Sequence, residues 1–255
     1  MKIDANLTVV VCGGASGLGE AVSRRFAGLG AKVTILDKNV QLGKKIALEI
    51  KGLFASADIA NYEEVRKAFV SSRKKFGQER VCINCVGIAP AEKTISKGKI
   101  HSPELFRKVI DINLVGAFNV ATLSACGMAE IKLLENEEER GLIINTASIA
   151  AYEGQMGQLA YAASKSGIVG MTLPMARDLA DKAIRVMAIA PGIFSTPMLH
   201  ALPKEVKDSL SKSIPFPRRL GNPGEFANLV VHISENPMLN GETIRLDGAI
   251  RLSPR

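Results

Sequence analysis

Short apolar runs recur along the chain, separated by longer stretches with helical periodicity. LTVVVC (7–12), KVTIL (32–36), GLFASAD (52–58) and VCINCVG (81–87) read as strands, and so do GLIINTAS (141–148), IRVMAIAP (184–191) and ETIRLD (242–247). The intervening residues 17–30, 40–51, 61–77, 103–128, 157–180, 198–212 and 223–235 read as helices. Strands that are apolar throughout have no face to give to water. They predict an α/β fold: a doubly wound parallel sheet of about seven strands with helices on both faces. No repeat, linker or shift in composition divides the chain, so residues 1–255 are expected to form one domain. Two stretches interrupt the alternation. Residues 91–103 (AEKTISKGKIHSP) are basic and 133–140 (LLENEEER) are charged; both read as solvated excursions.

Composition fits a large core, with 47% hydrophobic and 23% charged residues, and argues against disorder. The net charge of +8 suits a polyanion, a phosphate-bearing ligand or simply a solvated basic surface. Aromatic residues total only 5% and no RNA-recognition motif is present, so the residues themselves do not point to RNA. Cys82 and Cys85 form a C-x-x-C, but in a strand positions i and i+3 face opposite sides. With no second such pair, and with His101, His200 and His232 scattered, they read as core thiols of a reducing compartment and no metal is expected. No apolar run reaches 18 residues, so no membrane span is expected, and the short lead before Leu7 shows no cleavable presequence.

Chemistry concentrates at a few positions. VVVCGGASGLGE sets Gly13, Gly14, Gly17 and Gly19 between the first strand and the first helix. Such a turn lets backbone approach a pyrophosphate, and the following helix offers free N–H groups, which predicts dinucleotide binding. Asp37 ends the second strand. A carboxylate there accepts from both ribose hydroxyls and repels a 2′-phosphate, so NAD is expected over NADP despite the neighbouring Lys38. In YAASKSG, Tyr161 and Lys165 share a helix face among small residues. A phenol titrates near about 10, too high for a base at neutral pH. The ammonium of Lys165, together with a cationic nicotinamide, is expected to lower it and make Tyr161 a proton donor and acceptor. Ser148, at the carboxyl end of the fifth strand, is placed to orient a substrate oxygen. Asn113 stands inside an apolar helical run. It is either a satisfied buried amide or the site of a kink that holds a water relaying protons to Lys165.

These motifs together resemble the short-chain dehydrogenases/reductases, over essentially the whole chain. Gly13-x-x-x-Gly17-x-Gly19 is similar to the family's cofactor turn, and NCVG (84–87) to the element that supports its central sheet. Asn113, Ser148, Tyr161 and Lys165 match its catalytic tetrad, and PGIFST (191–196) the segment that covers the nicotinamide. The resemblance implies a single Rossmann-type domain. It implies NAD contacts from Gly13, Ser16, Gly17, Leu18 and Gly19 in the turn, and from Asp37, Asp58 and Ile59 beyond the next strands. Cys85, Gly87, Tyr161, Lys165, Pro191, Phe194 and Thr196 complete that set, and Ser148, Gln155 and Tyr161 would meet the substrate. Two positions depart from the family pattern: Cys12 replaces a threonine and Val86 an alanine.

NCVGIAPAEKT, IPFPRRLGNPGEFA and NPMLNGETIRLDGAIRL resemble the branch of the family that interconverts 3-hydroxyacyl-CoA and 3-ketoacyl-CoA in mitochondria. The basic loop 91–103 sits where that branch carries an insertion, and Lys93, Lys97 and Lys99 there either meet CoA phosphates or are merely hydrated. The resemblance further implies a homotetramer. Two other functions stay open. One is a hydroxysteroid or other lipophilic-alcohol dehydrogenase, with Met198, Leu199, Leu202 and Leu210 lining an apolar pocket. The other, implied by the resemblance alone, is a scaffold subunit with partners in mitochondrial tRNA processing.

Overall fold

The computed structural model describes residues 1–133, 138–200 and 204–254. The first half of the chain alternates β1 (Thr8–Cys12), α1 (Gly17–Gly28), β2 (Lys32–Asp37), α2 (Val40–Glu49), β3 (Leu53–Ser56), α3 (Tyr62–Phe76) and β4 (Val81–Asn84). A small antiparallel hairpin, β5 (Ile95–Ser96) and β6 (Lys99–Ile100), occupies the basic excursion. Then come α4 (Pro103–Ile110), α5 (Gly116–Ala129), β7 (Gly141–Thr146), α6 (Leu159–Asp178) and β8 (Ile184–Pro191). The chain finishes with α7 (Pro197–His200), α8 (Lys204–Ser213), α9 (Pro223–Glu235) and β9 (Thr243–Leu246).

Seven strands form one sheet in the order β3-β2-β1-β4-β7-β8-β9, and every pairing is parallel. The apolar strands serve two cores at once. Val9, Val11, Ile35, Ile83 and Ile144 pack with Phe26 of α1 and Phe226 of α9 on one face. Val10, Cys82, Ile143 and Val186 pack with Phe69 of α3 and Val120 of α5 on the other. The alternation of faces along each strand is the reason both of its sides are largely apolar; Thr34 of β2 and Arg185 of β8 are buried exceptions with hydrogen-bond partners. The chain leaves β1 toward β3 and returns on the opposite side to β4. This reversal opens a crevice at the carboxyl ends of β1 and β4, where open α/β sheets bind their ligands.

Three expectations are changed. The stretch 103–128 is not one regular helix: Asp111–Val115 forms a π turn between α4 and α5, centred on Asn113. The same Pro103–Ala129 stretch is long and apolar enough to cross a bilayer, but 56% of its most apolar window is buried, as in a core helix. The strand 81–87 stops at Asn84, whose side-chain oxygen accepts from the Val86 N–H at 3.1 Å and turns the chain off the sheet. Cys82 therefore lies in one core with Cys12, while Cys85 sits beyond the strand against the other. Finally, Glu139 of the charged excursion is buried, at 5% exposure. It accepts two bonds from Arg185, at 2.5 and 3.2 Å, because the second residue of β8 is a cation that is itself only 6% exposed. Arg185 spends its other donors on the carbonyls of Ile233, Ser234 and Leu239.

Candidate active site

A cleft of about 370 Å³ lies over the carboxyl ends of the central strands. Gly13, Ser16, Gly17 and Leu18 line it from the turn after β1, and Asp37, Asp58 and Ile59 from the ends of β2 and β3. Cys85 and Gly87 follow β4, Ser148 follows β7, Tyr161 and Lys165 come from α6, and Pro191, Phe194 and Thr196 close the far side. Gly13 and Gly17 have φ of +74° and +55°, backbone that a side chain makes costly. Gly19 does not line the cleft. A Cβ there would stand 2.2 Å from the Gly13 carbonyl oxygen, so its bareness lets α1 abut the turn. Ser16 precedes α1 without a side-chain cap bond, which leaves that helix's first N–H groups open toward an anion. Asp37 accepts from Ala15 N–H at 3.1 Å through one oxygen and from Asn39 N–H at 2.9 Å through the other. The carboxylate is thus fixed to the glycine turn, with lone pairs left for ribose hydroxyls.

At the other end, Ser148 Oγ accepts from Ala150 N–H at 3.1 Å and lies beside the phenol of Tyr161, whose ionised form it favours. Lys165 is 3% exposed. Its Nζ donates to the Thr146 carbonyl at 2.6 Å and stands 5.9 Å from the centre of the Tyr161 ring. Asn113 Oδ1 accepts from Ile88 N–H at 2.8 Å, and its Nδ2 donates to Ile88 O at 2.9 Å and to Ser164 Oγ at 3.0 Å. The amide is therefore satisfied and pins the loop after β4 to α6. Gly87 keeps that junction open: a Cβ there would lie 3.3 Å from Lys165 Nζ and 3.6 Å from Asn113 Oδ1.

The electrostatics correct one expectation. Burial pushes the Tyr161 phenol above its ordinary range, and only the Ser148 hydroxyl opposes it. Lys165 does not lower the phenol in this arrangement, because its Nζ is turned to the Thr146 carbonyl. Burial also pushes Lys165 down to about 8, against an opposing pull from Cys85. Cys85 is pushed up to about 12 by burial, with the Thr146 hydrogen bond and Lys165 pulling it back, so it stays a neutral thiol.

Lys165 leaves a signature in stability. It sits near 8 when folded and at its ordinary 10.5 when unfolded. Between those values the unfolded chain binds more protons, so stability rises with pH. The cost of the buried ammonium is fully present below about pH 8 and fades toward 10.5. Denaturant titrations at about pH 7 and 9 should show wild type gaining about 1 kcal/mol relative to Lys165→Met.

Some expected residues fall elsewhere. Gln155 does not line the cleft; its Nε2 donates to Ser253 O at 3.0 Å. Lys93, Lys97 and Lys99 are exposed on the excursion, which is anchored where Glu92 N–H donates to Gly157 O at 2.8 Å. Leu199 and Leu210 are half-buried, whereas Leu202 and the side chain of Met198 lie outside the described residues. Two working groups carried no sequence signal as such. Thr146 acts through a backbone carbonyl, and Ser164 joins Asn113 to the Tyr161 carbonyl, to which it donates at 2.7 Å.

The family model described as short chain dehydrogenase matches residues 7–207. Over 252 residues the chain is 51% identical to the 3-hydroxyacyl-CoA dehydrogenase type-2 of Homo sapiens, covering 97% of this chain and 96% of that protein. It is 49% identical over 253 residues to the Drosophila melanogaster protein of the same name, covering 98% and 99% of the two chains. The crystal structure of 3-hydroxyacyl-CoA dehydrogenase type-2 from Mycobacterium avium superposes with a TM-score of 0.93 at 40% identity, over 98% of this chain and 97% of that one.

Proposed function

The chain belongs to the short-chain dehydrogenase family, and from that premise we propose that it interconverts 3-hydroxyacyl-CoA and 3-ketoacyl-CoA with NAD as its cofactor. The observation that carries this reading is the convergence of Ser148, Tyr161 and the buried Lys165 in one cleft whose far end holds Asp37. The cleft suits a dinucleotide: a glycine turn with two positive-φ positions, an open helix N-terminus and a fixed carboxylate stand in sequence along it. When bound, the nicotinamide supplies the hydride acceptor or donor.

The chain's own residues handle the rest. Ser148 orients the substrate oxygen, and Tyr161 takes its proton in oxidation or returns it in reduction. Lys165, held on the Thr146 carbonyl, keeps a cation in the same cleft. Asn113 fixes Ile88, in the loop after β4, against α6. Because burial raises the phenol, its fall into a working range has to come from positive charge in the filled cleft. Initial rates with acetoacetyl-CoA, a ketosteroid, NADH and NADPH test the reading. Turnover is expected with NADH and the CoA ester. Turnover with the ketosteroid alone would move the substrate to lipophilic alcohols.

The choice of NAD rests on Asp37. Asp37→Ala is expected to cut kcat/KM with NADH by roughly 10–100-fold, the worth of charge-assisted ribose hydrogen bonds, and to raise the rate with NADPH. An unchanged ratio of the two rates would remove Asp37 from that role.

Assembly as a homotetramer and residence in mitochondria belong to the same proposal. Val115 in the π turn, Phe118 of α5, and Leu159 and Leu173 of α6 are large apolar side chains left exposed, as a helix-to-helix subunit contact requires. Sedimentation velocity of wild type and Phe118→Glu tests the contact. A tRNA-processing partnership is separable in the same way: Tyr161→Phe should abolish oxidation and leave any scaffold role intact.

A further inference from the structure

The loop that carries Ser148 and leads into α6 is held from outside by a distant part of the chain. Arg245, in β9, donates to both carboxylate oxygens of Glu153, at 2.7 and 2.9 Å. Its Nε donates to Asp247 Oδ2 at 2.8 Å, and its guanidinium lies 5.2 Å from the centre of the Tyr152 ring. Arg251 reinforces the group, 3.2 Å from Asp247 and 3.5 Å from Glu153. Further along, Gln155 Nε2 donates to Ser253 O, and Met156 N–H donates to Pro254 O, both at 3.0 Å. Beneath these contacts Ile149 of the loop packs with Ile214, which follows α8, and with Ile250.

These bonds differ from an ordinary surface pair. Arg245 and Glu153 have 22% and 24% exposed side chains, and the bidentate fork fixes their orientation. The Arg245 hydrogen bonds also hold the Glu153 carboxyl below its usual range. The contacts grip residues 152–156, between Ser148 at one end of the loop and Tyr161 in the first turn of α6. That loop contains only one short 3₁₀ turn, Ile149–Ala151, of its own. Ser166 Oγ donates to Ala151 O at 2.9 Å on one side and Glu92 N–H to Gly157 O at 2.8 Å on the other, so it is the middle, 152–156, whose course the distant contacts hold.

We propose that residues 245–254 clamp the catalytic loop and that Arg245 is a positioning residue, fixing Glu153 and through it the Ser148–Tyr161 pair. The kinetic consequence rests on the dehydrogenase reading above; the consequence for loop order does not. Arg245→Met removes the fork and Arg245→Lys keeps only the charge. Three quantities are measured: hydrogen exchange of amides 149–158, steady-state kinetics with acetoacetyl-CoA, and the Kd of NADH.

In the Met variant, amides 149–158 should exchange roughly ten-fold faster or more while those of β1 and β4 keep wild-type rates. For the CoA ester, kcat/KM should fall by roughly ten-fold or more, with the Kd of NADH within about two-fold and partial recovery in the Lys variant. Unchanged exchange at 149–158 overturns the clamp, and faster exchange with unchanged kcat/KM overturns the positioning role. Should Arg245→Met not fold, Glu153→Gln breaks the same pair and reads the same amides. A wild-type enzyme inactive on acetoacetyl-CoA would count against the substrate reading, and exchange would still decide the clamp.

Discussion

Tyr161→Phe is expected to lower kcat for acetoacetyl-CoA reduction by roughly 10³-fold, within the usual range for losing a positioned proton donor. The Kd of NADH should stay within about two-fold, because the ring keeps its packing and only the hydroxyl is lost. The removed oxygen is the one that faces Ser148 in the cleft. Lys165 keeps its own anchor on the Thr146 carbonyl, so the rest of the site should stand. Stopped-flow reduction with NADH, run beside a fluorescence titration of NADH, separates chemistry from binding. A loss of only about ten-fold would mean that another group, with Ser148 the nearest, delivers the proton.

Glu139→Gln is expected to destabilise the fold by about 3–5 kcal/mol, because it leaves the Arg185 guanidinium buried without its counter-charge. For a chain of this size that corresponds to a fall in Tm of roughly 6–20 °C, measurable by calorimetry. Arg185→Met with Glu139→Leu should recover only part of the loss, because Glu139 also accepts from the buried Met1 ammonium at 2.9 Å, a counter-charge that the double variant removes. Glu139 precedes β7 and Arg185 is the second residue of β8, so the pair lies at the amino-terminal edge of the sheet, opposite the cleft. Specific activity per folded molecule should therefore hold. A single variant as stable as wild type would show that water reaches the pair.

The architecture was legible because each strand is apolar on both faces, and only a covered parallel sheet accommodates seven such runs. The convergence of Ser148, Tyr161 and Lys165 was legible because Tyr161 and Lys165 share a helix face and Ser148 follows a strand end. What stayed hidden depends on long-range partners. Glu139 reads as one more solvated charge, and only the arginine in IRVMAIAP hints that a buried cation needs it. The π turn is a shift of backbone hydrogen bonds that leaves the apolar pattern of 103–128 untouched. The raised Tyr161 phenol follows from desolvation, which spacing along a helix does not report. Arg245 in ETIRLD looks like an ordinary edge-strand cation until Glu153, far away in sequence, is brought to it.

The strand order also bears on how the chain is made. β1 pairs with β2 on one side and with β4 on the other, and β4 begins only at Val81. During synthesis at roughly 5–20 residues per second, β1 would wait for about 3–14 s with one edge bare. For that interval the nascent chain presents TVVVC, five residues that end up wholly buried, as a template for stray strand pairing.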